Sequence, residues 1–405
     1  MKNIDFNSVL KISLFAAFGA LTFMACEKNL VTPDPVAVAC SGAPTMSSVT
    51  MPTKRDTVLK EARMTDWIIV KGTNLCTPTA LLVNDVAVNV AEVSASGNEF
   101  TFKIPKALPK TQNNKITFTS GSGTATLDFK VIVPDLSFTG YGGDIEEYTP
   151  VGQNLIIKGQ NLDLYGYTLE ATTVLFGTTS VKPTKVTDSE VHVTIPAGTA
   201  ANTAVKVKNA SIEREVPIRY KDTRGVIYDL DPTKEGWTPT VVSNGPTPGS
   251  ISGNYCVMTA NYKDAWGWQE DMHIADMVKL ADFGITPGTA NRYVVKFEVN
   301  VPTDWTSNPF RLWWKSKSGT FNYNFPWGGS FNGAAYKTAG WKTVTIPLAD
   351  FYYSEDDAGA KKGQKVTTLD AESVNTGIEM RLFIQGPDAK KMNLYWDNFR
   401  IVPKY

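Results

Sequence analysis

Two segments of the chain repeat one another, and that repeat limits the fold more than any other feature. Trp67-Ile-Ile-Val-Lys-Gly-Thr-Asn-Leu75 matches Asn154-Leu-Ile-Ile-Lys-Gly-Gln-Asn-Leu162. Downstream, Phe100-Thr-Phe-Lys-Ile-Pro105 matches Val191-His-Val-Thr-Ile-Pro196. Alternating stretches follow in both copies, Lys115 to Thr119 and Ala204 to Lys208, and each copy closes on a further apolar run, Leu127 to Val133 and Glu215 to Tyr220. Between the Gly-x-Asn-Leu turn and the Ile-Pro strand lie Leu81-Leu-Val83 and Val174-Leu-Phe-Gly177. Short strands with turn signals at regular spacing predict one small β-sandwich per copy. The Gly-x-Asn turn needs a residue at φ > 0, which Gly and Asn both tolerate.

At 405 residues the chain exceeds one ordinary core, so two to four domains are expected. The 40 basic and 40 acidic residues balance, which argues against nucleic acid as a partner and against a polybasic membrane patch. His192 and His273 are the only histidines, so a metal site built on several imidazoles is excluded. His192 alternates with strand residues and reads as a strand histidine rather than a ligand. Abundant Gly and Pro between runs of Val, Ile, Thr and aromatics read as mostly β.

The chain begins with a targeting segment. Lys2 and Lys11 carry positive charge, and the apolar run Leu14 to Ala25 is short for a membrane span. Its end, Phe23-Met24-Ala25-Cys26, resembles a bacterial lipobox, with Phe23 where Leu is more usual. That resemblance implies cleavage after residue 25, lipidation of Cys26 and attachment to the membrane through this anchor only. Residues 26–44, with Pro33, Pro35 and Pro44, read as an extended tether. Cys40 and Cys76 could pair in an oxidising compartment, or they could be buried thiols.

Beyond Asp222 the composition changes: nine of the ten tryptophans lie there, and only Trp67 precedes it. Strands are readable at Tyr255 to Ala260, Arg292 to Val301, Phe310 to Lys315, Trp341 to Pro347, Glu379 to Gln385 and Met392 to Val402. Long loops between them suggest a jelly-roll-like β-sandwich over residues 222–405. Alternation puts Phe310, Leu312 and Trp314 on the core face and Arg311 and Trp313 outward. A one-residue bulge would exchange Trp313 for Trp314, so both are candidates. Likewise Met380, Leu382 and Ile384 face inward, with Arg381 and Phe383 outward. Two polar aromatic loops add Trp266 and Trp268, and Tyr323 and Trp327. Flat rings among hydrogen-bonding side chains suit a ligand with one apolar face and many hydroxyls, as a sugar ring has.

The repeats resemble immunoglobulin-like IPT/TIG domains, at residues 45–134 and 135–221; the second copy holds Val174-Leu-Phe-Gly177 intact, whereas the first has Leu82-Val-Asn84 there. The stretches Trp341 to Phe351 and Leu394 to Ile401 resemble closing strands of jelly-roll carbohydrate-binding modules, which implies core roles for Trp341 and Asp397. The whole order resembles surface glycan-binding proteins of outer-membrane polysaccharide-utilisation systems, especially the type that binds xyloglucan or related β-glucans. The resemblance implies an all-β, non-catalytic polysaccharide binder at the cell surface, without cofactor, working with an outer-membrane transporter complex. Two other readings compete. A jelly-roll hydrolase or lyase would need paired carboxylates, but no Glu-x-Asp-x-Glu strand is present; Asp144-Ile-Glu-Glu147 sits at a spacer boundary. A protein-binding surface adhesin would use the same Tyr, Arg and Trp chemistry.

Overall fold

The computed structural model describes residues 40–231, 242–258, 269–305, 310–316, 319–327, 335–354, 363–376, 378–384 and 393–405. The proposed signal segment and Cys26 lie outside the described residues. The fold is nearly all β, with the short helix Ala371–Asn375 among the described residues. Contacts divide the chain into two compact units, Met1–Val133 and Pro134–Tyr405.

In the first unit a five-stranded sheet runs in the order Lys54–Leu59, Thr45–Met51, Trp67–Leu75, Gly97–Lys103, Ser94–Ala95. A four-stranded sheet runs Gly123–Asp128, Lys115–Ser120, Ala80–Val83, Val86–Ala87. Ile68, Val70, Phe100, Phe102 and Phe118 are buried at alternating positions, and Ile69 between the first two is buried as well. Cys40 and Cys76 are joined by a disulfide, which ties the residues just before Thr45–Met51 to the end of the strand Trp67–Leu75 that Cys76 follows.

The second repeat, in the second unit, pairs Ser137–Gly142, Asn154–Gln160, Glu190–Thr194 and Lys185–Val186 in one sheet. Its other sheet runs Thr179–Val181, Thr173–Phe176, Val205–Lys208, Glu213–Glu215. The structure explains both elements of the Gly-x-Asn turn that the two copies share. Asn74 and Asn161 are the residues in the left-handed region, at φ 55° and 60°. Each also donates its side-chain amide to a carbonyl just ahead of the strand it pairs with, that of Ala43 or Asp135. The glycine serves close approach instead: a Cβ at Gly72 would collide with the Thr45 carbonyl, and one at Gly159 would stand 2.9 Å from that of Ser137. His192 is a strand histidine, with Nε2 2.8 Å from the Glu190 carboxylate.

The rest of the second unit is a sandwich of two sheets. One runs Val242–Ser243, Tyr255–Met258, Leu394–Pro403, Tyr293–Asn300, Trp341–Pro347, with Val226–Tyr228 also paired to Leu394–Pro403. The other runs Gln269–Val278, Ile378–Ile384, Phe310–Ser316, Gly319–Asn324, Tyr352–Tyr353. Between them Phe297, Val299, Leu312, Trp314, Phe321, Met380, Trp396 and Phe399 form the core. Asp397 is fully buried, as expected. Trp341 departs from its expected core role. It lies on an edge strand and is half-buried, with its indole N–H donating to the Gly249 carbonyl at 2.7 Å and its ring edge-on to Tyr255.

Candidate functional site

The strand Phe310–Ser316 organises the second sheet. It pairs with Ile378–Ile384 on one side and Gly319–Asn324 on the other, in continuous register without a bulge. Alternation therefore holds along its length, and the choice between Trp313 and Trp314 is made. Trp314 is 1% exposed, stacks on Phe351 at 4.8 Å and meets Phe321 edge-on. It belongs to the core and offers no face to a ligand. Trp313 lies on the outer face, half-buried, with the Arg381 guanidinium 5.0 Å from its ring centroid. That distance is within cation–π range.

Register extends this pair into a row across the sheet. His273 stands opposite Arg381, Arg381 opposite Trp313, Trp313 opposite Asn322, and Asn322 opposite Tyr352. A second row places Glu270 opposite Phe383, Phe383 opposite Arg311, and Arg311 opposite Asn324. Arg311, Asn322, Asn324, Tyr352 and Arg381 are all half-buried, so the face they share with Trp313 is open at least in part. Chemically the rows combine a flat ring with guanidinium and amide groups that bond hydroxyls.

Two expected platform residues lie elsewhere. Tyr323 alternates with Asn322 and Asn324 and so falls on the core side, beside Phe325 and Phe351. Burial, and then Asp350, push its phenol pKa up. Trp327 is 5% exposed and stacks flat on Tyr336 at 4.2 Å, with Phe325 and Trp305 also against it. The chain turns after the strand ends at Asn324, and a Trp327 N–H to Phe325 carbonyl bond folds the ring over the core. Trp266 and Trp268 lie outside the described residues. Asn322 and Asn324 belong to a stretch read from sequence as an aromatic loop, but they lie on the strand Gly319–Asn324, whose alternation turns them to this face; Tyr352 carried no such signal. Among the described residues no group of three or more His, Cys, Asp or Glu side chains is placed to hold a metal ion.

Residues 220–403 match the family model of the surface glycan-binding protein B xyloglucan binding domain, and residues 144–222 match that of the IPT/TIG domain. Among solved structures, the surface glycan-binding protein PbSGBP-B from Prevotella bryantii is 20% identical, with a TM-score of 0.52, the match covering 90% of this chain and 100% of that one. SGBP-B from a complex xyloglucan utilization locus in Bacteroides uniformis is 17% identical, with a TM-score of 0.43, covering 89% of this chain and 99% of that one. No curated protein matches the chain.

Proposed function

We propose that this chain, whose residues 220–403 belong to the surface glycan-binding protein B xyloglucan-binding family and whose residues 144–222 are an IPT/TIG domain, captures a β-glucan at the cell surface without cleaving it. Xyloglucan or mixed-linkage glucan is the favoured ligand. The observation that carries the reading is Trp313: it lies on an open sheet face of the matching domain, in line with Arg381, Asn322 and Tyr352. Pyranose faces stack on the ring while the guanidinium and amide groups bond equatorial hydroxyls.

The row runs across five strands at roughly 4.8 Å spacing, so it extends about 19 Å, room for several sugar rings laid across the strands. Each aromatic contact contributes about 0.5–1.5 kcal/mol beyond burial, so affinity comes from several rings engaged on one long chain. Trp266, Trp268 and Phe383 complete the platform in this reading. The carboxylates of the Asp144–Glu147 run are not a catalytic pair in it, because Glu146 and Glu147 are engaged by Lys296.

Residues 1–25 act as a lipoprotein signal, and lipidated Cys26 anchors the chain to the outer membrane. Residues 26–44 are the tether, 45–134 and 135–221 immunoglobulin-like spacers, and 222–405 the binder that hands polymer to an outer-membrane transporter. Affinity electrophoresis in xyloglucan and mixed-linkage glucan gels tests the site. Trp313→Ala is expected to lose retardation while its circular dichroism stays native; unchanged retardation refutes the platform. Incubation with the same glucans is expected to release no new reducing ends, and their appearance would replace binding with hydrolysis.

A further inference from the structure

The central strands of the first sheet of the sandwich are buried on their outer side as well as their inner side, whereas the edge strand Trp341–Pro347 keeps exposed residues. All eight residues of Tyr293–Asn300 are buried, although Lys296, Glu298 and Asn300 alternate with the core residues Val295, Phe297 and Val299. The cover is the preceding immunoglobulin-like domain, through the short 3₁₀ segment Glu146–Tyr148. Arg400 and Lys296 stand opposite each other on adjacent strands. The Arg400 Nη2 donates to Glu147 at 2.7 Å and to Glu298 at 2.9 Å, and its Nη1 donates to the other Glu298 oxygen at 2.9 Å and to the Asn398 carbonyl at 2.8 Å. Lys296 donates to both Glu147 oxygens, at 2.9 and 2.7 Å, and to Glu146 at 2.6 Å. The Tyr148 ring lies 4.9 Å from the Arg400 guanidinium. Thr343 closes the join, with its hydroxyl donating to Glu298 and its backbone N–H to the Asp144 carbonyl.

Two cations of the sandwich are thus out of water, and one of the carboxylates that neutralises both belongs to the neighbouring domain. Glu147 is held ionised: burial alone would push its pKa up, but Arg400 and Lys296 bring it down to about 2. A buried ion pair tolerates loss of a partner poorly, because the charge left behind has neither water nor a counter-ion. We infer that residues 134–405 fold and unfold as one cooperative unit, with Glu147 as the counter-ion that the glycan-binding sandwich lacks by itself. The candidate binding face then stands at a fixed angle, on the side of the sandwich away from the spacer. This inference holds whether or not that face binds glycan.

Tryptophan emission separates the two domains, because residues 134–221 contain no Trp and nine lie beyond them. The test uses the full chain in a Trp67→Phe background, unfolded in urea. Val193→Ala makes a cavity in the spacer core, where Val193 is fully buried within the spacer's own cluster. One cooperative unit requires the tryptophan-detected midpoint to fall, although the cavity lies in the domain without tryptophan. A tryptophan midpoint left where it was overturns the inference. Glu147→Gln is expected to lower the tryptophan midpoint from a residue outside the tryptophan-bearing domain, and to uncouple the Val193→Ala effect. If Glu147→Gln yields no soluble protein, Glu146→Gln, at the more accessible edge of the network, gives the graded version. Its expected result is a smaller fall in the same midpoint, and no fall overturns the role given to the network.

Discussion

The two sheets of the C-terminal sandwich carry similar residue types on their outer faces and use them in opposite ways. On Tyr293–Asn300 and Leu394–Pro403, Lys296, Glu298 and Arg400 are sealed under the preceding domain. On Phe310–Ser316 and Ile378–Ile384, Arg311 and Arg381 remain half-open beside Trp313. Alternation treats the two strand pairs alike: apolar residues in, charged residues out. What separates them is whether another domain covers the outer face. Charge on a strand therefore marks the face away from the core, not the face toward water.

The largest expected effect breaks the sealed face. Arg400→Met leaves Glu147 and Glu298 buried together without their shared cation, and breaking such a pair costs about 3–5 kcal/mol. Urea unfolding followed by tryptophan emission should show this as a fall in midpoint; a loss below about 1 kcal/mol would mean that the junction is solvated.

The second prediction sharpens the comparison within one strand. Trp314→Ala removes a ring packed against Phe351 and Phe321 and should cost about 3–5 kcal/mol of stability. Trp313→Ala, one residue earlier, should change stability by about 0.5 kcal/mol or less, the range of ordinary surface substitutions. It should nonetheless remove glucan binding in affinity electrophoresis. Equal destabilisation by the two would place both rings in the core.

This pair also shows what was legible in the sequence. The repeat and its Gly-x-Asn turns disclosed the immunoglobulin-like architecture, because backbone demands at Gly72 and Asn74 recur at Gly159 and Asn161. Alternation placed Trp313 outward, because no bulge interrupts its strand. Tyr323 and Trp327 were misplaced for opposite reasons. Tyr323 obeys alternation, which its polar neighbours Asn322 and Asn324 obscured. Trp327 follows a turn, where alternation ends and only tertiary packing decides. The Glu147–Arg400 contact spans 253 residues and two domains. Local patterning holds no information about such a pair, so the Asp144–Glu147 run could be read only as a boundary.

Among the buried acids of the sealed face, Glu147 and Asp397 titrate in opposite senses, and burial raises Glu298 in the same direction as Asp397. Glu147 is lowered from 4.5 to about 2, so its contribution to stability is present above pH 4.5 and is lost as pH falls toward 2. Asp397 is raised from 3.8 to about 9, first by burial, while an N–H from Asn398 offsets part of the rise. Its Oδ2 meets no hydrogen-bond partner. The native state therefore holds a proton there that the unfolded chain gives up, so its contribution is present below pH 3.8 and is lost as pH rises toward 9. Burial is shared; the cations beside Glu147 decide the sign. Asp397→Asn should flatten the fall in stability between pH 4 and 9, and Glu147→Gln should flatten the acid limb, both read from urea midpoints across pH. An unchanged slope for Asp397→Asn would mean that the carboxyl is ionised in the fold.

The smallest expected effect lies on the open face. Arg381 stacks over Trp313 at a half-exposed site, where a cation–π contact contributes about 0.5–1 kcal/mol. Arg381→Gln keeps a hydrogen-bond donor but removes the charge that holds the ring. Glucan affinity should fall about two- to fivefold, the range such a contact energy implies. Stability should move by about 0.5 kcal/mol or less. Because a neutral glucan brings no charge of its own, the loss should be the same at low and high salt, measured by titration calorimetry. A loss that shrinks steeply with salt would instead assign Arg381 to a charged ligand, and the open face would differ from the sealed one in its choice of partner as well as in its exposure.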